Sequence, residues 1–247
     1  MGKTKLSLLA LIVGFNSYGS AEYYDDQYQT IQSVEMYEVE ENEDGSQNET
    51  LLQDQKLPTD LEMAYGQITR SYQKARIDDV IMTTRNLIAI GKEIYKIIEA
   101  GRPVVNIGES KSLSVLPMDE KGTPVDSFRL SNWSTPKAKK YKVVAKNYLG
   151  MSPVSFEFML IYNYGGSLDG KGKYLTGTQI KATSVQVSWG YELNANFSVQ
   201  SIINQGTDEE PIAGAVLAID YKIKTVLKES RSSKTFFVNG VGQTKAF

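Results

Sequence analysis

The sequence predicts a mainly β protein: an antiparallel β-sandwich preceded by one or two amphipathic α-helices and a disordered acidic N-terminal segment. Three observations carry the prediction. Beyond Pro103, long runs of the chain place apolar residues at every second position, the spacing of strands with one buried face. Between residues 59 and 101 the apolar spacing follows a helical period instead. Residues 22–60 hold twelve Asp or Glu against the single Lys56, a net of −11, while 61–247 carries a net of +7, so an acidic tail joined to a basic body is expected.

Residues 1–21 read as a cleaved signal peptide. Lys3 and Lys5 precede the apolar run Leu6–Phe15, and Gly19-Ser20-Ala21 supplies the small residues of a cleavage site. That run is too short to cross a hydrocarbon layer, which needs roughly 20 apolar residues. The remaining chain of about 226 residues is enough for one good core.

Residues 22–58 read as an acidic disordered segment, because Glu38–Glu49 repels itself and offers little to bury. Removal of residues 22–57 is expected to leave the β-domain folded. Residues 59–101 read as a helical segment that opens on the capping box Thr59-Asp60-Leu61-Glu62 and ends at Gly101 and Pro103. The stronger helix is expected over 79–100, where Val80, Ile81, Leu87, Ile88, Ile90, Ile94, Tyr95, Ile97 and Ile98 cover more than half the circumference.

Residues 102–247 form the predicted sandwich. Val154–Tyr164, Val185–Val199 and Ala215–Leu227 are its long strands, with shorter ones at Val104–Ile107, Ser112–Leu116, Tyr141–Tyr148, Thr178–Lys181 and Thr235–Asn239. Gly165–Gly172 nearly matches the phosphate-binding pattern G-x-x-x-x-G-K-[ST], but Gly172 replaces the final hydroxyl and a strand follows, so a hairpin loop is expected.

Composition narrows the chemistry. With no Cys and no His, the chain has no disulfide, no Ser-His-Asp or Cys-His machinery and no ordinary zinc site. No cofactor and no metal are expected. Carboxylates at Glu157, Asp169, Glu192, Asp220 and Asp208-Glu209-Glu210 leave a glycan hydrolase as a third reading, which needs two of them about 5–10 Å apart.

Two clusters are candidate binding sites. Trp133 with Lys137, Lys139, Lys140 and Lys142, extended by Tyr141 and Lys146, forms a basic and aromatic patch suited to anionic lipid or acidic glycan. The plainer reading is a solvated edge strand whose lysines discourage pairing. Trp189, Tyr191 and Glu192 lie among amides and hydroxyls, a mixture found on sugar-binding faces.

The function expected is therefore an exported, non-enzymatic binding or structural protein, periplasmic, on the outer surface or secreted. Its expected partners are an envelope glycan, anionic lipid or another envelope protein, with no nucleic acid. The alternative is a pore-forming or lipid-inserting protein that uses helix 79–100 or strand 185–199. A helix ahead of a β-sandwich resembles the layout of actinoporin-like pore formers, and the terminal Phe247 resembles the aromatic ending of outer-membrane barrels.

Overall fold

The computed structural model describes residues 25–56, 79–84, 86–92, 94–104 and 112–247. The signal peptide at 1–21 and the capping box at 59–62 lie outside these residues. The described chain is mainly β, with two antiparallel sheets. Its strands in chain order are β1 (Ile31–Glu41), β2 (Gln47–Lys56), β3 (Asp79–Thr84), β4 (Leu87–Lys92), β5 (Ile94–Glu99), β6 (Arg102–Pro103), β7 (Leu113–Pro117), β8 (Lys137–Asn147), β9 (Val154–Leu168), β10 (Lys171–Val187), β11 (Glu192–Asn204), β12 (Ala213–Lys224), β13 (Glu229–Asn239) and β14 (Thr244–Ala246). One sheet runs β2-β1-β8-β9-β10-β7-β4-β3 and the other β14-β13-β12-β11-β5-β6. A helical stretch at 25–29 precedes β1.

Alternation builds the core. On β9, Val154, Phe156, Phe158, Leu160 and Tyr162 are buried while the residues between them are half-exposed. The inner faces of the two sheets meet through aromatic pairs, with Tyr141 and Phe236 at 4.8 Å between ring centres and Phe156 and Tyr221 at 5.6 Å. β9 and β10 join through Asp169-Gly170, whose φ angles of 50° and 79° are those of a two-residue hairpin turn, and Leu168 stands opposite Lys171. The Gly165–Gly172 segment is therefore hairpin, as its sequence indicates.

Three sequence-based assignments are corrected. Residues 79–100 are not a helix but the strands β3, β4 and β5. An apolar run covering most of a helical circumference is also how consecutive buried strands read, and Asn86 at φ 56° turns β3 back onto β4. The segment 22–58 is not disordered over its described part, because β1 and β2 form a hairpin that extends the larger sheet. Finally, Val185–Val199 is broken between Val187 and Glu192, where Gly190 adopts φ 82°. A side chain at Gly190 would also meet the Gln29 amide, with a Cβ only 2.8 Å from its nitrogen.

Candidate functional site

The lysine patch lies on β8, which the sheet order places between β1 and β9 and not at an edge. Its charges are answered from the adjacent β1 and β9 and from β2 beyond β1. Lys146 Nζ lies 2.9 Å from Glu35 on β1, Lys142 Nζ 2.7 Å from Glu49 on β2, and Lys140 Nζ 2.8 Å from Glu157 on β9, while Lys139 pairs with Glu38. Lys137 donates to the carbonyl of Gly242 and stands 5.5 Å above the Tyr164 ring. The acidic hairpin thus supplies the counter-ions that charge asymmetry alone left unassigned. Trp133 belongs to the core wall: it is half-buried, and a Cβ on Gly166 would fall 2.4 Å from its ring.

The Trp189, Tyr191 and Glu192 cluster divides. Trp189 stands in the turn between β10 and β11 and is 81% exposed. Tyr191 is buried, its ring edge-on to Tyr28 at 5.6 Å and its hydroxyl donating to the Tyr28 carbonyl; burial pushes that hydroxyl's pKa above the usual range. Glu192 is exposed and lies 3.9 Å from Lys224. The three residues do not converge on one ligand.

A better-formed site lies on the outer face of the smaller sheet. A groove of about 520 Å³ crosses β5, β11, β12 and β13. Strand register aligns its lining in rows. Lys96, Asn196, Asp220 and Ser233 stand opposite one another across four strands, and Asn194, Lys222 and Arg231 form the next row. Directly paired side chains are about 5 Å apart at Cβ, so each row is a ladder of polar groups.

Some of these groups are engaged. Lys96 bonds Glu99 at 2.6 Å, Arg231 bonds Glu229, Lys222 lies 3.8 Å from Glu229, and Asn194 accepts the N–H of Ala100 at 3.3 Å. Among the described residues, the Asn196 amide, the Asp220 carboxylate and the Ser233 hydroxyl have no partner. The row therefore offers a donor and acceptor, an anion and a hydroxyl side by side, with cations at the rim. Such a set can donate to and accept from hydroxyl groups at several points at once.

Asn194 and Asn196 are visible in the sequence as the polar face of 185–199, and Asp220 as one scattered carboxylate. Their meeting depends on the register of β11 with β12, which no local pattern encodes. The other carboxylates are dispersed: Glu157 lies on the larger sheet, Asp169 in the β9–β10 turn, and Glu210 accepts the N–H of Gly172 at 3.0 Å. Among the described residues no group of three or more Asp or Glu forms a metal cluster, and no helix is long and apolar enough to cross a membrane. No protein-family model, curated protein or solved structure matches the chain.

Proposed function

We propose that the chain is an exported, non-catalytic binding protein of the cell envelope or exterior, a β-sandwich that takes a hydroxyl-rich glycan in the groove across β5, β11, β12 and β13. The sandwich reading is supported by two sheets whose inner faces are apolar and whose outer faces carry the polar rows. Export rests on the N-terminal pattern of 1–21. The observation that carries the ligand class is the row Asn196, Asp220 and Ser233, whose hydrogen-bonding capacity no described residue uses. Saccharides present alternating donors and acceptors, which an amide, a carboxylate and a hydroxyl meet without a large net charge. The lysines of β8, by contrast, are already paired within the protein.

The test is titration of isotope-labelled protein with saccharide fragments of envelope polymers, followed by NMR. Shifts should centre on residues 194–196, 220–222 and 231–233. Asn196→Ala and Asp220→Ala should each weaken binding roughly tenfold, the loss of about 1–2 kcal/mol per hydrogen bond, with the melting temperature unchanged. Shifts centred on Lys137–Lys146, or none with any fragment, would refute the proposal.

A further inference from the structure

Three turns leave one end of the molecule, and each carries exposed apolar side chains. The turn between β8 and β9 presents Tyr148, Leu149 and Met151; the connection from β10 to β11 presents Trp189; the turn between β12 and β13 presents Leu227 and Val226, the latter 82% exposed. Pairing brings them together. Val154 at the start of β9 stands opposite both Ala145 and Val187, and Lys224 stands opposite both Glu192 and Glu229. The three turns therefore project beyond the same strand ends.

The base of this end is braced. The Ser188 N–H donates to the Pro153 carbonyl at 2.8 Å, the Tyr148 N–H to the Thr30 carbonyl at 3.3 Å, and the Tyr28 hydroxyl to the Trp189 carbonyl at 3.1 Å. Thr225 caps its own turn by accepting the Lys228 N–H at 2.9 Å through its hydroxyl. Apolar tips held on such a frame stay in water at a cost, and a concentration of them marks an interaction surface.

The character of the tips selects the occupant. They sit on three separate turns, and none of them lines the groove across β5, β11, β12 and β13. A Trp and a Tyr beside Leu, Met and Val is the mixture that settles at the boundary of headgroups and acyl chains, rings at the interface and aliphatic groups below. Neighbouring charges are mixed in sign: Lys224 faces Glu192, Lys146 faces Glu35, Lys222 and Arg231 share Glu229, and Lys228 on the β12–β13 turn adds a cation where Asp25 and Asp26 in the helical stretch before β1 add anions, so neither a strongly anionic nor a strongly cationic partner is called for. We propose that this end docks on the surface of a zwitterionic lipid bilayer, with Trp189, Val226, Leu227 and Met151 entering to interfacial depth and no strand spanning it. The surface differs from the two inserting elements considered from sequence, since 79–100 is sheet and the apolar face of β11 is core.

The test is flotation of the purified protein with neutral phosphatidylcholine vesicles, with tryptophan emission and quenching by chain-brominated lipid as the second readout. Expected are co-flotation that persists from low to high salt, a blue-shifted and quenched emission, and no release of vesicle contents. Trp189→Ser combined with Leu227→Ser should lower partitioning by roughly tenfold or more, because two apolar contacts with lipid are lost. Phe128→Ser should leave it unchanged: Phe128 is exposed on the 3-10 turn Ser127–Arg129, next to Ser131, which bonds Ser167 at the far end of β9. All three substitutions are on exposed side chains, so equal melting temperatures exclude misfolding as the cause. Absence of flotation, binding only to anionic vesicles and lost in salt, equal loss in Phe128→Ser, or lipid-independent self-association abolished by the double substitution would each overturn the proposal.

Discussion

The hydroxyl of Tyr95 on β5 donates to the carbonyl of Ile180 on β10 at 2.8 Å and accepts the N–H of the same residue at 2.9 Å. One side chain thereby satisfies both backbone groups of a residue in the opposite sheet. Ile180 lies two positions beyond Thr178, which pairs with Leu113 on β7, so the tyrosine serves where the neighbouring strand has ended. Burial holds the hydroxyl well above its usual pKa, and the bond with Ile180 offsets only part of that effect.

Tyr95→Phe should therefore destabilise the protein by about 2–4 kcal/mol, since it removes no volume from the core but strands a buried donor and acceptor. Denaturant unfolding measures it. A loss below about 0.5 kcal/mol would show that the Ile180 backbone finds water or another partner.

The acidic hairpin is part of the folded unit, because Ile31, Val34 and Met36 are buried against the core. Met36→Ala should cost about 2–4 kcal/mol through the cavity it leaves, whereas a dispensable tail would tolerate it. Acid should loosen the same hairpin. Burial alone would raise the Glu35 pKa, but the Tyr37 hydroxyl, Lys146 and the Ser33 hydroxyl outweigh it and hold the carboxyl below its ordinary 4.5. A group depressed in the folded state contributes stability above its unfolded pKa and loses it as pH falls through the folded one. Protection factors of β1 amides, the exchange rate taken relative to the intrinsic rate at each pH, should fall below pH 4.5, and Glu35→Gln should flatten that dependence. Protection of β1 that is the same above and below pH 4.5 would contradict the pairing with Lys146.

Lys234 on β13 stands opposite Ile219 on the inner face, is buried, and has no carboxylate partner among the described residues. Burial lowers its pKa from 10.5. The unfolded chain then binds more protons between the two pKa values, so stability should rise with pH through that interval. Lys234→Met should raise the melting temperature by a few degrees, as about 1 kcal/mol does at this size, and remove the rise. A drop in melting temperature would reveal a favourable role for the ammonium.

Legibility followed how local each signal is. The apolar faces at 154–164 and 215–223 were readable because side chains in a strand alternate whatever the strand's neighbours are. The 79–100 segment misread because β4, with Leu87, Ile88 and Ala89 all buried, lacks that alternation, and the β-branched residues Ile88, Ile90, Ile94, Ile97 and Ile98 were the available signal against a helix. The acidic segment misread because repulsion within it was weighed without Lys139, Lys142 and Lys146, which lie about a hundred positions away. The groove was half-legible: polar residues at 194 and 196 are apparent, while their alignment with Asp220 and Ser233 is not.

The sequence by itself determined which chemistries are absent, since no fold can supply a thiol or an imidazole to a chain without Cys or His, and it determined which faces of β9 and β12 are apolar. Only the tertiary structure decided which strands became neighbours. That choice turned the β8 lysines from an edge into a charge-paired interior strand, set Tyr95 against Ile180, and gathered Trp189 with Val226 and Leu227 at one end. The physical reason is that pairing between residues 80 to 100 positions apart is selected by the closure of whole sheets and the fit of their inner faces, and neither quantity is carried by any short stretch of chain.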